Sequence, residues 1–328
     1  MAFELICPAG TPAALRAAVD AGADAVYCGF RDETNARNFP GLNFSREELG
    51  EAVRYAHARD RKVFVAINTY PTAGNLAPWH KAVDDAARLG ADAVILADLG
   101  LLDYAARKHP SLRLHLSVQA SAANAEAVTL FRDAFGVQRV VLPRVLTVAD
   151  IKGLTAETGV EVEVFVFGGL CPMAEGRCSL SSYATGLSPN KQGVCSPASH
   201  VRYEPRGNEL ISRLGDFTIN VFGADEPAGY PTLCKGRFAA QGADAGYLFE
   251  EPTSLNALQL LPELKKAGVH ALKIEGRQRG KAYIASVVQT YRKALDAFER
   301  NGKVPNVDLD AVVEGARETA GAYQKSWR

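Results

Sequence analysis

Two hydrophobic rhythms alternate along the first half of this chain. Short, near-continuous apolar runs occur at Glu4–Cys7, Ala25–Cys28, Lys62–Asn68, Ala93–Asp98, Arg113–Gln119, Arg139–Pro143 and Glu161–Phe167. Such runs suit parallel strands whose outer faces are covered by helices. Between them, apolar residues recur at helical spacing over Pro12–Ala21, Arg46–Arg59, Pro78–Leu89, Leu99–Lys108, Ala123–Phe135 and Val148–Thr158. The junctions carry their own signals. Thr11-Pro12 opens the first helix with proline in its first turn, and Ser45-Arg46-Glu47-Glu48 has the form of a capping box. The phrase Ala21-Gly22-Ala23-Asp24-Ala25-Val26 nearly repeats at Leu89-Gly90-Ala91-Asp92-Ala93-Val94, and more loosely at Ala267-Gly268-Val269-His270-Ala271-Leu272. Each copy sets glycine where a helix gives way to a strand, a position that favours left-handed backbone. Recurrence of one joint predicts repeated β/α units.

The rhythm stops at Leu170, and from there to about Pro252 the chain is rich in Gly, Pro, Ser and Cys with little periodicity. It resumes with a predicted helix at Ser254–Ala267, a strand at Ala271–Glu275 and a long helix at Tyr283–Arg300; a last helix is predicted from about Leu309. Seven strands before the break and one after it make the eight of an α/β, TIM-barrel-like (β/α)8 fold, which takes roughly 250 residues. The expected organisation is therefore the first seven β/α units over residues 1–169, an irregular Cys-rich insertion between strand 7 and its helix over 170–253, and the last unit with the C-terminal helices over 254–328. A doubly wound open sheet is the competing fold. It loses its usual support because the first strand–helix turn, Pro8 to Pro12, lacks GxGxxG and no GxxxxGK[ST] occurs.

Composition narrows the function. With 47% hydrophobic residues the 328-residue chain is too apolar for disorder. Lys+Arg and Asp+Glu both number 37, a balance that argues against a general nucleic-acid or anionic-membrane binder. The insertion, with seven basic and nine acidic residues, has no basic excess either. No apolar run approaches the ~18 residues of a membrane span, and the first ten residues lack the basic start of a signal peptide, so a cytoplasmic protein is expected.

In that compartment six cysteines read as metal ligands or thiols rather than disulfides. Cys7 and Cys28 fall inside predicted strands and read as small buried hydrophobes. Cys171, Cys178, Cys195 and Cys234 all lie in the insertion, in loop-like surroundings next to Gly or Pro. A segment of that length is hard to order by packing alone, and four thiolates closing on one centre would order it. Neither the CxxC pairs of structural zinc nor the ferredoxin CxxCxxC run is present, so spacing leaves zinc and iron–sulfur both open. Cys171 follows strand 7, which puts the centre over the C-terminal barrel face, where barrel enzymes keep their sites.

Polar residues at the strand ends should reach that same face: Asn68, Asp98, Gln119, Arg144 and the group Lys273-Ile274-Glu275-Gly276-Arg277. Lys273 and Glu275 are two apart and share one side of their strand. Lys273, Glu275 and Arg144 are the candidate catalytic residues: an anion-binding cation, a general acid/base, and an arginine gripping a carboxylate together with Arg277. The structural alternative for the strand pair is a buried ion pair. Asn68 and Gln119 read as rim hydrogen-bonders, and His115 as a satisfied core histidine.

Several phrases resemble the peptidase U32 family: CysProAlaGly (7–10), ThrAsnAlaArg (34–37), SerValGlnAlaSer (117–121), GluGlyArgCys (175–178), GlyTyrProThrLeuCysLysGlyArg (229–237) and LysIleGluGlyArgGlnArg (273–279). The likeness runs from residue 3 onward and is strongest to the family's ubiquinone-biosynthesis branch. It implies a [4Fe–4S] cluster on Cys171, Cys178, Cys195 and Cys234. It further implies oxygen-independent hydroxylation of the ubiquinone precursor ring in a heterodimer with a UbiV-like sister subunit, the oxygen coming from a small metabolite such as prephenate. Within the same family the alternatives are hydroxylation of a tRNA base and a non-catalytic Fe–S scaffold or electron-transfer subunit. The protease of the family name finds neither HExxH nor GxSxG here.

Overall fold

A computed structural model describes residues 2–192, 194–242, 244–307, 309, 312–313 and 317–324. Strands β1 (Glu4–Pro8), β2 (Ala25–Cys28), β3 (Lys62–Ile67), β4 (Ala93–Leu96), β5 (Arg113–Leu116), β6 (Arg139–Val141) and β7 (Glu161–Gly169) alternate with α1 (Pro12–Asp20), α2 (Arg46–His57), α3 (Ala77–Arg88), α4 (Leu99–Lys108), α5 (Ala125–Phe135) and α6 (Val148–Thr158). The insertion carries α7 (Leu180–Thr185), α8 (Pro189–Gln192), the antiparallel strands β8 (Val201–Arg206), β9 (Glu209–Leu214) and β10 (Phe217–Phe222), and the short ribbon β11 (Arg237–Phe238) and β12 (Gly246–Tyr247). There follow β13 (Ser254–Asn256), α9 (Leu261–Lys266), β14 (Ala271–Ile274), α10 (Lys281–Asn301) and β15 (Glu318–Thr319). β14 pairs in parallel with both β1 and β7, closing eight parallel strands into the expected (β/α)8 barrel.

Local chemistry places the joints. Ser45 and Glu48 form the capping box of α2, Thr147 and Asp150 that of α6, and Thr11 caps α1 ahead of Pro12. In the repeated joint the glycines, Gly22, Gly90 and Gly268, all have positive φ. The residue two places further on then caps a neighbouring strand. Asp24 Oδ2 accepts from Leu5 N at 2.8 Å, Asp92 Oδ2 from Val63 N at 2.7 Å, and His270 Nδ1 from Val162 N at 3.3 Å. The recurring phrase is thus one structural device used repeatedly, each time satisfying a strand N–H that the ladder leaves open.

Two apolar layers result. Outward strand residues such as Leu5, Val26, Val65, Val94 and Val164 pack under the helices. Inward residues form a smaller cluster of Ile6, Ala25, Tyr27, Phe64, Ala66, Ala93, Ile95 and Ala271. The register keeps inward residues side by side around the barrel: Tyr27 against Phe64, Ile95 against His115, His115 against Arg139, Phe165 against Lys273.

Three expectations need correction. Ser254–Asn256 is not helical: β7 runs past the barrel rim, and β13 pairs antiparallel with that extension, leaving only Leu261–Lys266 as α-helix. The insertion is not without regular structure, because β8–β10 form a three-stranded sheet. Its alternation was hidden because Ser212 and Asn220 occupy buried positions, Asn220 donating to the Lys235 carbonyl at 3.1 Å. The predicted tail helix falls partly on residues 310–311 and 314–316, which lie outside the described residues. Where it is described, the tail gives β15, added parallel to β13. Among the described residues no helix is long and apolar enough to cross a membrane.

Candidate functional site

The barrel mouth is built from the segments that follow β2, β6, β7 and β14. Arg144, 6% exposed, pairs with Glu175 and with Glu275, and its guanidinium carbon lies 3.6 Å from the Phe165 ring centroid. Arg37, from the loop after β2, reaches Glu275 from another side at 3.5 Å. Burial alone disfavours ionisation of both carboxyls. At Glu275 the charges of Arg144 and Arg37 outweigh burial and hold the carboxyl below the usual range. At Glu175 burial prevails and the carboxyl is raised, despite Arg144. Burial also works against the Arg144 cation, but Glu275 and Glu175 outweigh it and keep the guanidinium charged.

Lys273 does not join this group. Its ammonium lies inside the barrel, 2.5 Å from Glu163 Oε1 and 3.8 Å from the Tyr27 ring centroid, and is 5% exposed. Glu163 also meets Arg139 at 3.4 Å, and Arg139 pairs in turn with Glu4 and Glu161. Lys273 and Glu275 therefore take different partners. The β7–β14 register shifts just after Lys273, which leaves Lys273 in the barrel and Glu275 at the rim.

The remaining candidates separate cleanly. Asn68 Oδ1 accepts from Ala36 N at 3.2 Å, a rim bond as expected. Asp98 caps α4. Gln119 sits in a 3-10 turn beyond β5, where its carbonyl accepts from the Tyr70 hydroxyl at 2.8 Å. Cys7 and Cys28 are fully buried. His115 is a core residue set edge-on to Phe64, but neither ring nitrogen finds a partner among the described residues. The residue reading did not single out Asn35, Arg37 and Glu175. Their signal was position: Asn35 and Arg37 follow strand 2 and Glu175 follows strand 7, both openings onto the C-terminal face.

The four insertion cysteines are free thiols drawn from four separate segments. Cys171 lies two residues beyond β7, Cys178 precedes α7, Cys195 follows α8, and Cys234 lies in a 3-10 turn. Three of them sit in the electrostatic field of another: Cys195 acts on Cys171, Cys178 on Cys195, and both Cys195 and Cys178 on Cys234. Burial pushes the Cys234 thiol up to about 11 and raises Cys171 and Cys195 as well, so ligation here must displace protons. Arg144 acts on Cys171, Arg37 and Lys235 on Cys195, and Lys235 on Cys234. Among the described residues no three His, Cys, Asp or Glu side chains stand ready for a single metal ion. The donor set itself, four thiols with cations beside them, fits a thiolate-ligated cluster. Gly176 locks the segment between Cys171 and Cys178 to the barrel: its φ is +83°, and a Cβ there would stand 2.0 Å from the Gln119 carbonyl oxygen.

Fold and site together define a (β/α)8 barrel whose C-terminal mouth is roofed by a four-cysteine insertion. The model of Peptidase family U32 matches residues 10–325, and the chain belongs to that family. It is 34% identical to the tRNA hydroxylation protein P of Escherichia coli, over 95% of this chain and 72% of that protein. It is 30% identical to the tRNA hydroxylation protein P1 of Bacillus subtilis, over 90% and 63%. It is also 30% identical to the 23S rRNA 5-hydroxycytidine C2501 synthase of Escherichia coli, over 90% of this chain and 40% of that one. The chain thus spans about two thirds of the length of the tRNA-hydroxylating relatives. A solved U32 peptidase structure superposes with a TM-score of 0.42 at 16% identity, covering 52% of this chain and 70% of the other.

Proposed function

We propose that this chain is a cluster-dependent hydroxylase that acts on a base of tRNA. The observation that carries this reading is the continuous likeness to tRNA hydroxylation proteins, over nine tenths or more of the chain, and the insertion offers four free thiols as a donor set. Cys171, Cys178, Cys195 and Cys234 would hold a [4Fe–4S] cluster, which supplies one-electron transfer when bound. Around it, Arg144 ties Glu175 to Glu275 and so fixes the Cys171–Cys178 segment to the rim. Glu275, held ionised and still 28% exposed in its side chain, can accept a proton from a substrate at neutral pH but has none to donate. Lys273, committed to Glu163, supports the wall rather than the reaction.

A second reading is hydroxylation of the ubiquinone precursor ring with a UbiV-like partner and prephenate as oxygen donor. The observation favouring it is charge: neither the whole chain nor the insertion carries the basic excess that tRNA binding calls for. One experiment separates the two. In cells lacking this chain, nucleosides digested from tRNA are compared by mass spectrometry with those from cells restored with the wild type or with Cys171→Ser. The first reading expects one nucleoside to lose 16 Da and only the wild type to restore it. Unchanged tRNA with an accumulating quinone precursor supports the second reading, and no change in either discards both.

A further inference from the structure

We infer that Arg277 anchors the carboxylate of a small-molecule ligand at the barrel mouth, and that Asn35 aims it. Among the described residues three arginines are buried, Arg139, Arg144 and Arg277. A buried guanidinium ordinarily has a carboxylate partner, because an uncompensated charge in the interior is costly. Arg139 pairs with Glu4, Glu161 and Glu163, and Arg144 with Glu175 and Glu275. Arg277, 8% exposed, has no carboxylate of the described residues within 4.0 Å. Its hydrogen bond is from Nη1 to Asn35 Oδ1 at 2.6 Å, which orients the fork without neutralising it. Among the described residues its guanidinium makes no other side-chain hydrogen bond.

The surroundings agree. Burial, with the Arg37 charge adding to it, pulls the guanidinium down to about 10, the mark of a cation short of anions. The nearby carboxylate of Glu275 is already engaged by Arg144 and Arg37. Nor is the thiol set its counter-charge. The cations that act most on those thiols are Arg144, Arg37 and Lys235, whereas the cysteine acting on Arg277 is the buried Cys28. The site is also built in advance. Asn35 is held by its own bond to the Phe30 carbonyl at 3.1 Å, and its Oδ1 accepts from Arg37 N at 3.1 Å. On the other flank, Gly10 lets the backbone close against the Arg277 carbonyl, where a Cβ would stand 1.8 Å away. A deep, preset fork suits a planar carboxylate, whereas the phosphates of a polynucleotide are met by exposed basic residues.

The inference rests on the proposed hydroxylase reading only in this respect: a hydroxylase that draws its oxygen from a metabolite needs a small-molecule site beside its main substrate, whether that substrate is a tRNA base or a quinone precursor. Its test does not need the reaction. Anaerobically purified protein is titrated calorimetrically with malonate, acetate, inorganic phosphate and neutral malonamide. Malonate should bind and malonamide should not. Arg277→Gln should weaken malonate at least tenfold, with Arg277→Lys intermediate. Asn35→Asp supplies the missing counter-charge from within, so it should raise the melting temperature yet weaken malonate tenfold or more, with iron content unchanged. Should Arg277→Gln fail to fold, Asn35→Asp decides. Equal binding of malonate and malonamide, preference for phosphate, or unchanged malonate affinity in a folded variant would each overturn the proposal. Intact malonate binding in a chain that hydroxylates nothing keeps this site and discards the reaction; the reverse result keeps the reaction and discards the site.

Discussion

At the scale of single residues, the barrel interior stores charge that the fold must keep paired. Glu163 is fully buried and serves both Lys273 and Arg139. Glu163→Ala strips both cations of an interior partner and should cost about 3–5 kcal/mol in urea unfolding, while leaving the four thiols in place. His115 poses the opposite case. Burial, helped by the charge of Arg139, drives its pKa well below the ordinary 6.5. The unfolded chain takes up a proton near that pH that the folded chain refuses, so stability is intact above about 6.5 and falls as the pH drops below it. His115→Leu should remove that slope. Between pH 7 and pH 5 the wild type should lose about 2 kcal/mol more than the variant, and equal losses would show that the ring titrates freely.

At the scale of elements, two glycines that look alike in sequence should behave differently. Gly136 ends α5 with φ +70° and open space around it, so Gly136→Ala should cost only about 1 kcal/mol of backbone strain. Gly176 adds a collision with the Gln119 carbonyl to a similar strain. Gly176→Ala must push the GluGlyArgCys turn off the barrel rim and carry Cys178 with it. Iron and sulfide content should fall several-fold, while the circular dichroism of the barrel stays unchanged. Full iron content in Gly176→Ala would show that the turn has room to move.

At the scale of the whole molecule, the barrel and its roof depend on different forces. The barrel closes on two continuous apolar layers, whereas the insertion has a small core around Leu214, Ile219 and Phe222 and its four cysteines. With the proposed cluster bound to the four cysteines, its removal by a chelator should therefore leave the barrel folded and open the roof. Limited proteolysis should then cut first between residues 170 and 253, and simultaneous cleavage within β1–β7 would contradict this division.

The strands, helices and joints of the barrel were legible because each is dictated locally. Apolar runs, caps such as Ser45 with Glu48, and the repeated Gly–x–Asp joint act within a few residues of themselves, and the count of eight strands followed. The four cysteines stand out in the sequence by type, as thiols in a Gly- and Pro-rich segment, but whether they close on one centre depends on tertiary placement. Partner choice was not legible, because it depends on which residues the closed barrel brings together across more than a hundred positions. Lys273 to Glu163, Arg144 to Glu275 and Arg277 to Asn35 are separated by 110, 131 and 242 residues. Side-chain chemistry was written in the chain, but the pairing of these charges, and the burial of Arg277 without a carboxylate among the described residues, were decided only when β14 closed against β1 and β7.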